Sequence, residues 1–315
     1  MKRKVVIVLG PTGSGKSGVA YKIAKDFSGF LIVADSRQVY RGMDVGTNKD
    51  PVELRKGKYY WNGIEECLVN IVDSDDEFTL DDWLKACRKC IEDHPNQLPV
   101  IVGGTGLYIS ALVNNYQLGK GFDPKLRVKA EELLKTKGIE YLLNEVKNID
   151  PDIEQKIESS NPRRVLRAYE ICSGTKKPMS QEKSFDSDDS AQDPKGESEF
   201  EFIQFGMKVD REKLYEKLNR RAKEQFDEGL EYEVRGLLEE GYSKDSSALS
   251  GIGYRQVIRY LDGEISREES IELNQRDNRR YAKRQMTWFK RDESINWIDG
   301  YSEVGEYLIS SRGVK

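Results

Sequence analysis

Gly10-Pro11-Thr12-Gly13-Ser14-Gly15-Lys16-Ser17 follows directly on the apolar run Val5-Val6-Ile7-Val8-Leu9 and leads into a helically spaced segment over residues 17–27. A G-x-x-x-x-G-K-S stretch between a strand and a helix calls for a parallel α/β sheet. Its glycines let successive backbone N–H groups converge at a helix N-terminus, where the helix dipole adds positive potential. Lys16 supplies a point charge and Ser17 a hydroxyl suited to Mg²⁺, so the loop is built for a diphosphate or a longer polyphosphate.

Two further strand-like runs, 29–34 and 98–102, each end in a polar loop, residues 35–40 and 103–108. Ligands of open parallel sheets lie beyond the carboxyl ends of the strands, so the three loops are expected to meet in one crevice. The expected fold is α/β: a P-loop-containing parallel sheet flanked by helices, with an inserted small helical domain. Residues 1–120 and 200–315 form the catalytic core in this reading, with a strand near 201–209 and long helices over 211–240 and 263–291. Residues 121–180, charged and carrying apolar pairs such as Leu133-Leu134 and Val165-Leu166, form the insertion, and the acidic, Ser-rich stretch 181–199 is expected to be a mobile loop.

A net charge of −4 argues against a polyanion partner only as an average. Between residues 276 and 291 seven bases (Arg276, Arg279, Arg280, Lys283, Arg284, Lys290, Arg291) face one acid, Asp277. Clustered in this way they can track phosphates despite an acidic mean. Arg276, Arg279, Arg280, Lys283 and Arg284 recur at helical spacing, with Tyr281, Gln285, Trp288 and Phe289 on another face. The apolar run at 5–9 is too short to cross a bilayer, so a cytoplasmic protein without a membrane partner is expected. The cysteines Cys67, Cys87, Cys90 and Cys172 make no disulfide framework. Cys87-x-x-Cys90 and His94, the single histidine, fall in a helical pattern over 79–94 with Trp83, Leu84, Cys87 and Ile91 on one face, so these thiols read as core and surface groups rather than ligands.

On the residues alone, Asp35 can hold a Mg²⁺-bound water, accept a proton, or cap the turn that follows it. A P-loop also fits a small-molecule or nucleoside-monophosphate kinase, or a nucleotide-binding module without chemistry. What separates these is the ordered set of motifs: the P-loop; Ala-Asp-Ser-Arg-Gln-Val-Tyr-Arg-Gly-Met-Asp-Val-Gly-Thr from Ala34; Gly-Gly-Thr-Gly-Leu-Tyr from Gly103; Asn-Pro-Arg-Arg-Val-Leu-Arg-Ala from Asn161; Gly-Ile-Gly-Tyr-Arg-Gln from Gly251; and Arg-Tyr-Ala-Lys-Arg-Gln-Met-Thr-Trp-Phe from Arg280. Together they resemble the tRNA dimethylallyltransferases, also called tRNA isopentenyltransferases, of the bacterial type, from Val5 to about Asp292.

That resemblance implies transfer of dimethylallyl from dimethylallyl diphosphate to N6 of the adenine 3′ of the anticodon, in tRNAs reading codons that begin with U. It implies Mg²⁺ as cofactor, the anticodon stem-loop as partner, and a monomer. By match to the family motifs, Asp35 is the general base, Thr105 lies beside the reacting diphosphate and amine, and Lys16, Arg221 and the Mg²⁺ ligand Ser17 clamp the leaving group. Gly10, Pro11, Thr12, Gly13, Ser14, Gly15, Lys16 and Ser17 cradle the diphosphate. Asp35, Ser36, Arg37, Gln38, Thr105, Arg127, Arg163, Arg164, Arg167, Gly253, Tyr254, Arg255 and Gln256 fall where relatives touch tRNA. Neither Cys nor His follows Asp292, so the C-terminal zinc finger of many eukaryotic members is not expected. The acidic stretch would repel tRNA and is expected to point away from it.

Overall fold

A computed structural model of the chain describes residues 2–116, 123–181 and 198–310. The chain divides into two compact units, Met1–Ile109 with Glu199–Lys315, and Ser110–Ser198. The first contains β1 (Arg3–Leu9), α1 (Lys16–Asp26), β2 (Gly29–Ala34), β3 (Glu53–Arg55), β4 (Lys58–Trp61), β5 (Ile64–Cys67), α2 (Leu80–Asp93) and β6 (Leu98–Gly103). Helix α3 (Gly106–Val113) leads out of it, and α4 (Pro124–Lys147) and α5 (Pro162–Thr175) belong to the second unit. The chain returns with β7 (Phe200–Met207), α6 (Arg211–Asp227), α7 (Leu230–Glu239), α8 (Tyr254–Leu261), α9 (Arg267–Phe289), β8 (Asn296–Ile298) and α10 (Tyr301–Ser310).

One eight-stranded sheet runs in the order β3-β4-β5-β2-β6-β1-β7-β8. It is parallel from β5 to β8, and β3 and β4 add to its end as antiparallel hairpins. Val5 to Leu9 of β1 are fully buried, as a central parallel strand covered on both faces requires. Each such side chain contributes about 1.5–3 kcal/mol by leaving water. Register brings the site together: Leu9 and Ala34 both pair with Gly103, so the loops after β1, β2 and β6 leave the sheet at one edge.

The hairpins β3–β4 and β4–β5 carry no apolar run, and β3 is exposed throughout, so periodicity gave no sign of them. Their turns are nevertheless written in the chain. Lys56-Gly57 and Asn62-Gly63 all have positive φ, the pairing that two-residue hairpin turns demand. The helix expected over 211–240 is two helices, α6 and α7, because Gly229 takes φ 106° between them.

Within the second unit, Asp123 caps α4 through Lys125 N–H (2.9 Å) and Asn161 caps α5 through Arg163 N–H (3.1 Å), each ahead of a helix-starting proline. Gly138 (φ 83°) kinks α4. Leu142, Val146, Val165, Leu166 and Ile171 fill the core of this unit. Apart from its ends, the acidic stretch 181–199 lies outside the described residues.

Candidate active site

Gly13 and Gly15 of the P-loop hold φ of 79° and 86°, a backbone state that side chains resist, and Gly15 opens α1. Among the described residues, Lys16 Nζ has one hydrogen bond, to the Pro11 carbonyl at 3.5 Å. Loss of hydration pushes its ammonium down to about 8, against the pull of Asp35.

Gln285 of α9, 6% exposed, ties two of the three loops together. Its Oε1 accepts Thr12 N–H (2.9 Å) and its Nε2 donates to Gly104 O (2.8 Å). A Cβ at Gly104 would lie 2.2 Å from that Nε2, so only glycine admits the bridge. The third loop is bound in by Thr105, whose N–H donates to Ala34 O and whose Oγ1 accepts Ser36 N–H, both at 3.2 Å. Thr105 is also hydrogen-bonded to the hydroxyl of Tyr281. Asp35 Oδ1 accepts the N–H groups of Arg37 (2.8 Å) and Gln38 (3.3 Å), so one oxygen caps the turn, as one reading of the sequence has it. Oδ2 accepts neither bond.

Arg221 of α6 donates from Nη2 to Thr12 Oγ1 (2.9 Å) and Asn278 Oδ1 (3.3 Å), while its Nε is buried without a partner. Helices α6 and α9 are locked in register by Gln275 Nε2 donating to Asn219 O (3.0 Å) and by Arg279 on Asn219 Oδ1. Beside Ser17 stand two carboxylates that no motif marks. Asp50 accepts a hydrogen bond from the Ser17 side chain. Glu66 of β5 is 5% exposed, its Oε2 is buried without a partner, and burial together with Asp50 pushes it up to about 8. A hydroxyl and two carboxylates, with no nitrogen or sulfur, suit a hard divalent cation.

Two cavities open over these loops, of about 390 Å³ and about 250 Å³. The larger is floored by Gly13, Lys16, Ser17 and Glu66; the smaller is walled by Ser36, Arg37, Gly251, Arg255 and Arg284. Thr12, Asp35, Thr47, Arg221 and Tyr281 line both. The segment before Thr47 is strapped down: Glu233 accepts the N–H groups of Asp44 (2.9 Å), Val45 (2.7 Å) and Gly46 (3.0 Å), and Gln225 Nε2 donates to Val45 O (2.8 Å). A Cβ on Gly46 would lie 2.4 Å from the Tyr254 ring.

The residues matched to tRNA contacts divide into several groups. Arg255 faces the smaller cavity with Asp277 at 2.6 Å, and Arg37 is anchored to Ser247 O and to Ser250 Oγ (3.2 Å). Gln38 holds Thr47 O (3.2 Å) and Asn48 O (3.3 Å). Gly253, Tyr254 and Gln256 are buried, and Tyr254 lines the smaller cavity beside Arg255. Gln256 spends its amide on Gly253 N–H and Asp277, both at 2.8 Å, and the Tyr254 hydroxyl binds Glu233, so these side chains position Arg255 and the strap. On α9, Arg276, Arg280, Lys283 and Arg284 are exposed, but Arg279 turns to Asn219 and leaves the basic face. In the second unit Arg163 and Arg164 are exposed at the start of α5, whereas Arg127 (2.8 Å) and Arg167 (2.9 Å) both bind Glu170, a carboxylate that is 1% exposed. Among the described residues no helix is long and apolar enough to cross a membrane.

Residues 38–292 match the sequence model of the IPP transferase family. The chain is 41% identical over 298 residues to a tRNA dimethylallyltransferase of Acetivibrio thermocellus, covering 94% of this chain and 91% of that one. Its structure resembles the tRNA isopentenylpyrophosphate transferase of Bacillus halodurans, with a TM-score of 0.69, 31% identity, and coverage of 98% of this chain and 96% of that one. It also resembles a eukaryotic dimethylallyltransferase acting on tRNA, with a TM-score of 0.77, 25% identity, and coverage of 99% and 81% respectively.

Proposed function

The chain belongs to the IPP transferase family, and from that premise we propose that this tRNA prenyltransferase moves dimethylallyl from dimethylallyl diphosphate to N6 of the adenine 3′ of the anticodon, in tRNAs that read codons beginning with U. The observation that carries the reading is the pair of cavities with Asp35 on their common wall. A diphosphate fits the larger, over the P-loop amides, Lys16 and Arg221. A purine fits the smaller, between Arg37 and Arg255. Extruding that base from its stack costs a few kcal/mol, least in a single-stranded loop, which favours the anticodon stem-loop as partner.

The N6 lone pair attacks C1 of the dimethylallyl group as the C1–O bond breaks and its electron pair leaves on the diphosphate. The N6 proton, made acidic as the N–C bond forms, goes to Asp35, whose Oδ2 is not engaged by the turn. Lys16, Arg221 and the loop N–H groups stabilise the departing charge, in a pocket where water screens them little. Tyr281 and Thr105, hydrogen-bonded to each other, hold the wall against which the amine approaches.

Mg²⁺ fits beside Ser17, where Asp50 and the unpartnered Glu66, which would release its proton to the cation, would supply the negative charge for a hard cation. Bound there, it would neutralise part of the diphosphate charge. Glu66→Gln is expected to weaken Mg²⁺-dependent diphosphate binding, read by calorimetry, and yet to stabilise the metal-free protein by about 1–2 kcal/mol at neutral pH. Native Glu66 retains a proton that the unfolded chain has lost between its ordinary 4.5 and about 8. Wild-type stability should therefore fall as pH rises through that window, and the variant should lack that part of the slope.

Lys16 sets the other pH dependence. Its ammonium is lost from the free protein as pH rises through about 8, so affinity for inorganic diphosphate should fall above that value, by up to about tenfold per unit. A flat profile between pH 7 and pH 10 would exclude Lys16 as the charge that grips the ligand. The reaction itself is tested by incubating the protein with Mg²⁺, unmodified anticodon stem-loop and radiolabelled dimethylallyl diphosphate, with ATP as competitor. Label on the RNA adenine is expected. Label that stays off the RNA, or γ-phosphate passed from ATP to a small acceptor, would overturn the proposal.

A further inference from the structure

Strand β5 alternates across the sheet: Glu66 enters the P-loop cavity, while Glu65 and Cys67 point the other way. There they meet the last turn of α2. Glu65 Oε1 lies 3.1 Å from His94 Nε2 and 3.8 Å from Cys67 Sγ, and these three ligand atoms all fall within 4.8 Å of one another. The Cys90 side chain is hydrogen-bonded to that of Cys67. Three ligand atoms from the two elements thus cluster, and Cys90 joins them from the side through its contact with Cys67.

The histidine is set for a cation. Its Nδ1–H donates to Cys90 O (2.8 Å), since a carbonyl can only accept, and its ring stacks on Phe30 with centroids 4.2 Å apart. Nε2 faces the Glu65 carboxylate, whose charge favours a cation nearby. A backbone carbonyl on the far nitrogen is the arrangement that orients metal-ligating histidines. Positive charge has in fact been drawn in: Lys58 Nζ sits 2.8 Å from Glu65 Oε1 and 3.4 Å from His94 Nε2, from a side chain that is half exposed and free to swing away.

We propose that Glu65, Cys67, Cys90 and His94 form a binding site for a thiophilic divalent cation of the Zn²⁺ class, distinct from the oxygen-only site beside Ser17. Glu65, Cys67 and His94 supply three ligand atoms, and Cys90, turned in from its contact with Cys67, would supply a fourth; four protein ligands with no open position is the count of a structural rather than a catalytic zinc. On binding, Lys58 moves out and the thiol protons pass to solvent. The C-x-x-C spacing misdirects, because Cys87 is fully buried in the core; the partner of Cys90 is Cys67, from another element. A cation here would staple β5 to the end of α2 and so hold Glu66, one residue along, in the P-loop cavity.

The test uses the full chain, stripped by chelator and kept reduced, titrated first with Co²⁺ and then with Zn²⁺. One equivalent of Co²⁺ is expected to give tetrahedral visible bands together with a thiolate-to-cobalt charge-transfer band, and Zn²⁺ should bleach both. The site beside Ser17 offers no sulfur, so the thiolate band reports this site alone. Cys67→Ser and His94→Gln should each weaken binding by about 100-fold or more. Lys58→Ala, which removes the competing ammonium and no ligand, should tighten it several-fold, so the proposal stays testable even if the other variants unfold. A folded wild-type chain that gives no thiolate band, a band that survives Cys67→Ser, or a Lys58→Ala protein that binds no more tightly would each overturn the site.

Discussion

Asp35→Asn is expected to lower single-turnover prenyl transfer by about 10²–10⁴-fold while leaving affinity for the anticodon stem-loop within a few-fold of wild type. The asymmetry follows from the two oxygens of the carboxylate. Oδ1 is spent on the N–H groups of Arg37 and Gln38, and an asparagine carbonyl can take over both bonds, so the turn that shapes the smaller cavity survives. What the amide cannot do is accept the N6 proton. Asp35→Ala should lose the turn as well, weakening RNA binding on top of the loss of rate, so the two variants separate base from cap. Transfer by Asp35→Asn at the wild-type rate would leave the carboxylate as a cap and nothing more.

Lys16→Ala should reduce transfer by about 10²–10³-fold, the cost of removing one preorganised charge from a developing anion. Arg221 does not substitute for it, because that guanidinium is tethered to Thr12 and Asn278, whereas the Lys16 ammonium is held by a 3.5 Å contact to a carbonyl. Lys16→Arg should rescue poorly, since a planar fork needs room that a point charge does not. A second readout guards against misfolding as the cause. Burial pushes the ammonium down to about 8 from 10.5, so its removal should stabilise the ligand-free fold below about pH 8, a gain that fades toward 10.5. An inactive variant that melts higher than wild type marks a group held at a cost to stability for the sake of function. An inactive variant that melts lower would point to structural damage.

Much of this site was legible in the sequence because each piece is contiguous. The P-loop, the Asp35 turn and the Gly103-Gly104-Thr105 loop are each bound to the end of a strand, and three apolar runs predicted the central strands within a residue or so. Gln285 was legible only as a member of a helix face. That it reaches two loops far away in the chain depends on how α9 packs, which periodicity does not encode. Asp50 and Glu66 were invisible for another reason. They flank or sit in short hairpin strands without alternation, and a buried carboxylate in such a strand looks like any surface acid. A motif match transfers identity and not exposure: in α8 Tyr254 and Gln256 are buried while Arg255 between them is exposed.

The unit that carries the P-loop is made from both ends of the chain, with Ser110–Ser198 between them. During synthesis the glycine-rich turn, Asp35 and Thr105 leave the ribosome long before Arg221, Tyr281 and Gln285 exist. The nascent chain therefore carries a phosphate cradle without the Gln285 bridge and without Arg221. On the proposed function, an allylic diphosphate would meet the full set of charges that ionise it only once the last long helix has docked, so an incomplete chain would be poorly equipped to squander such a donor on water.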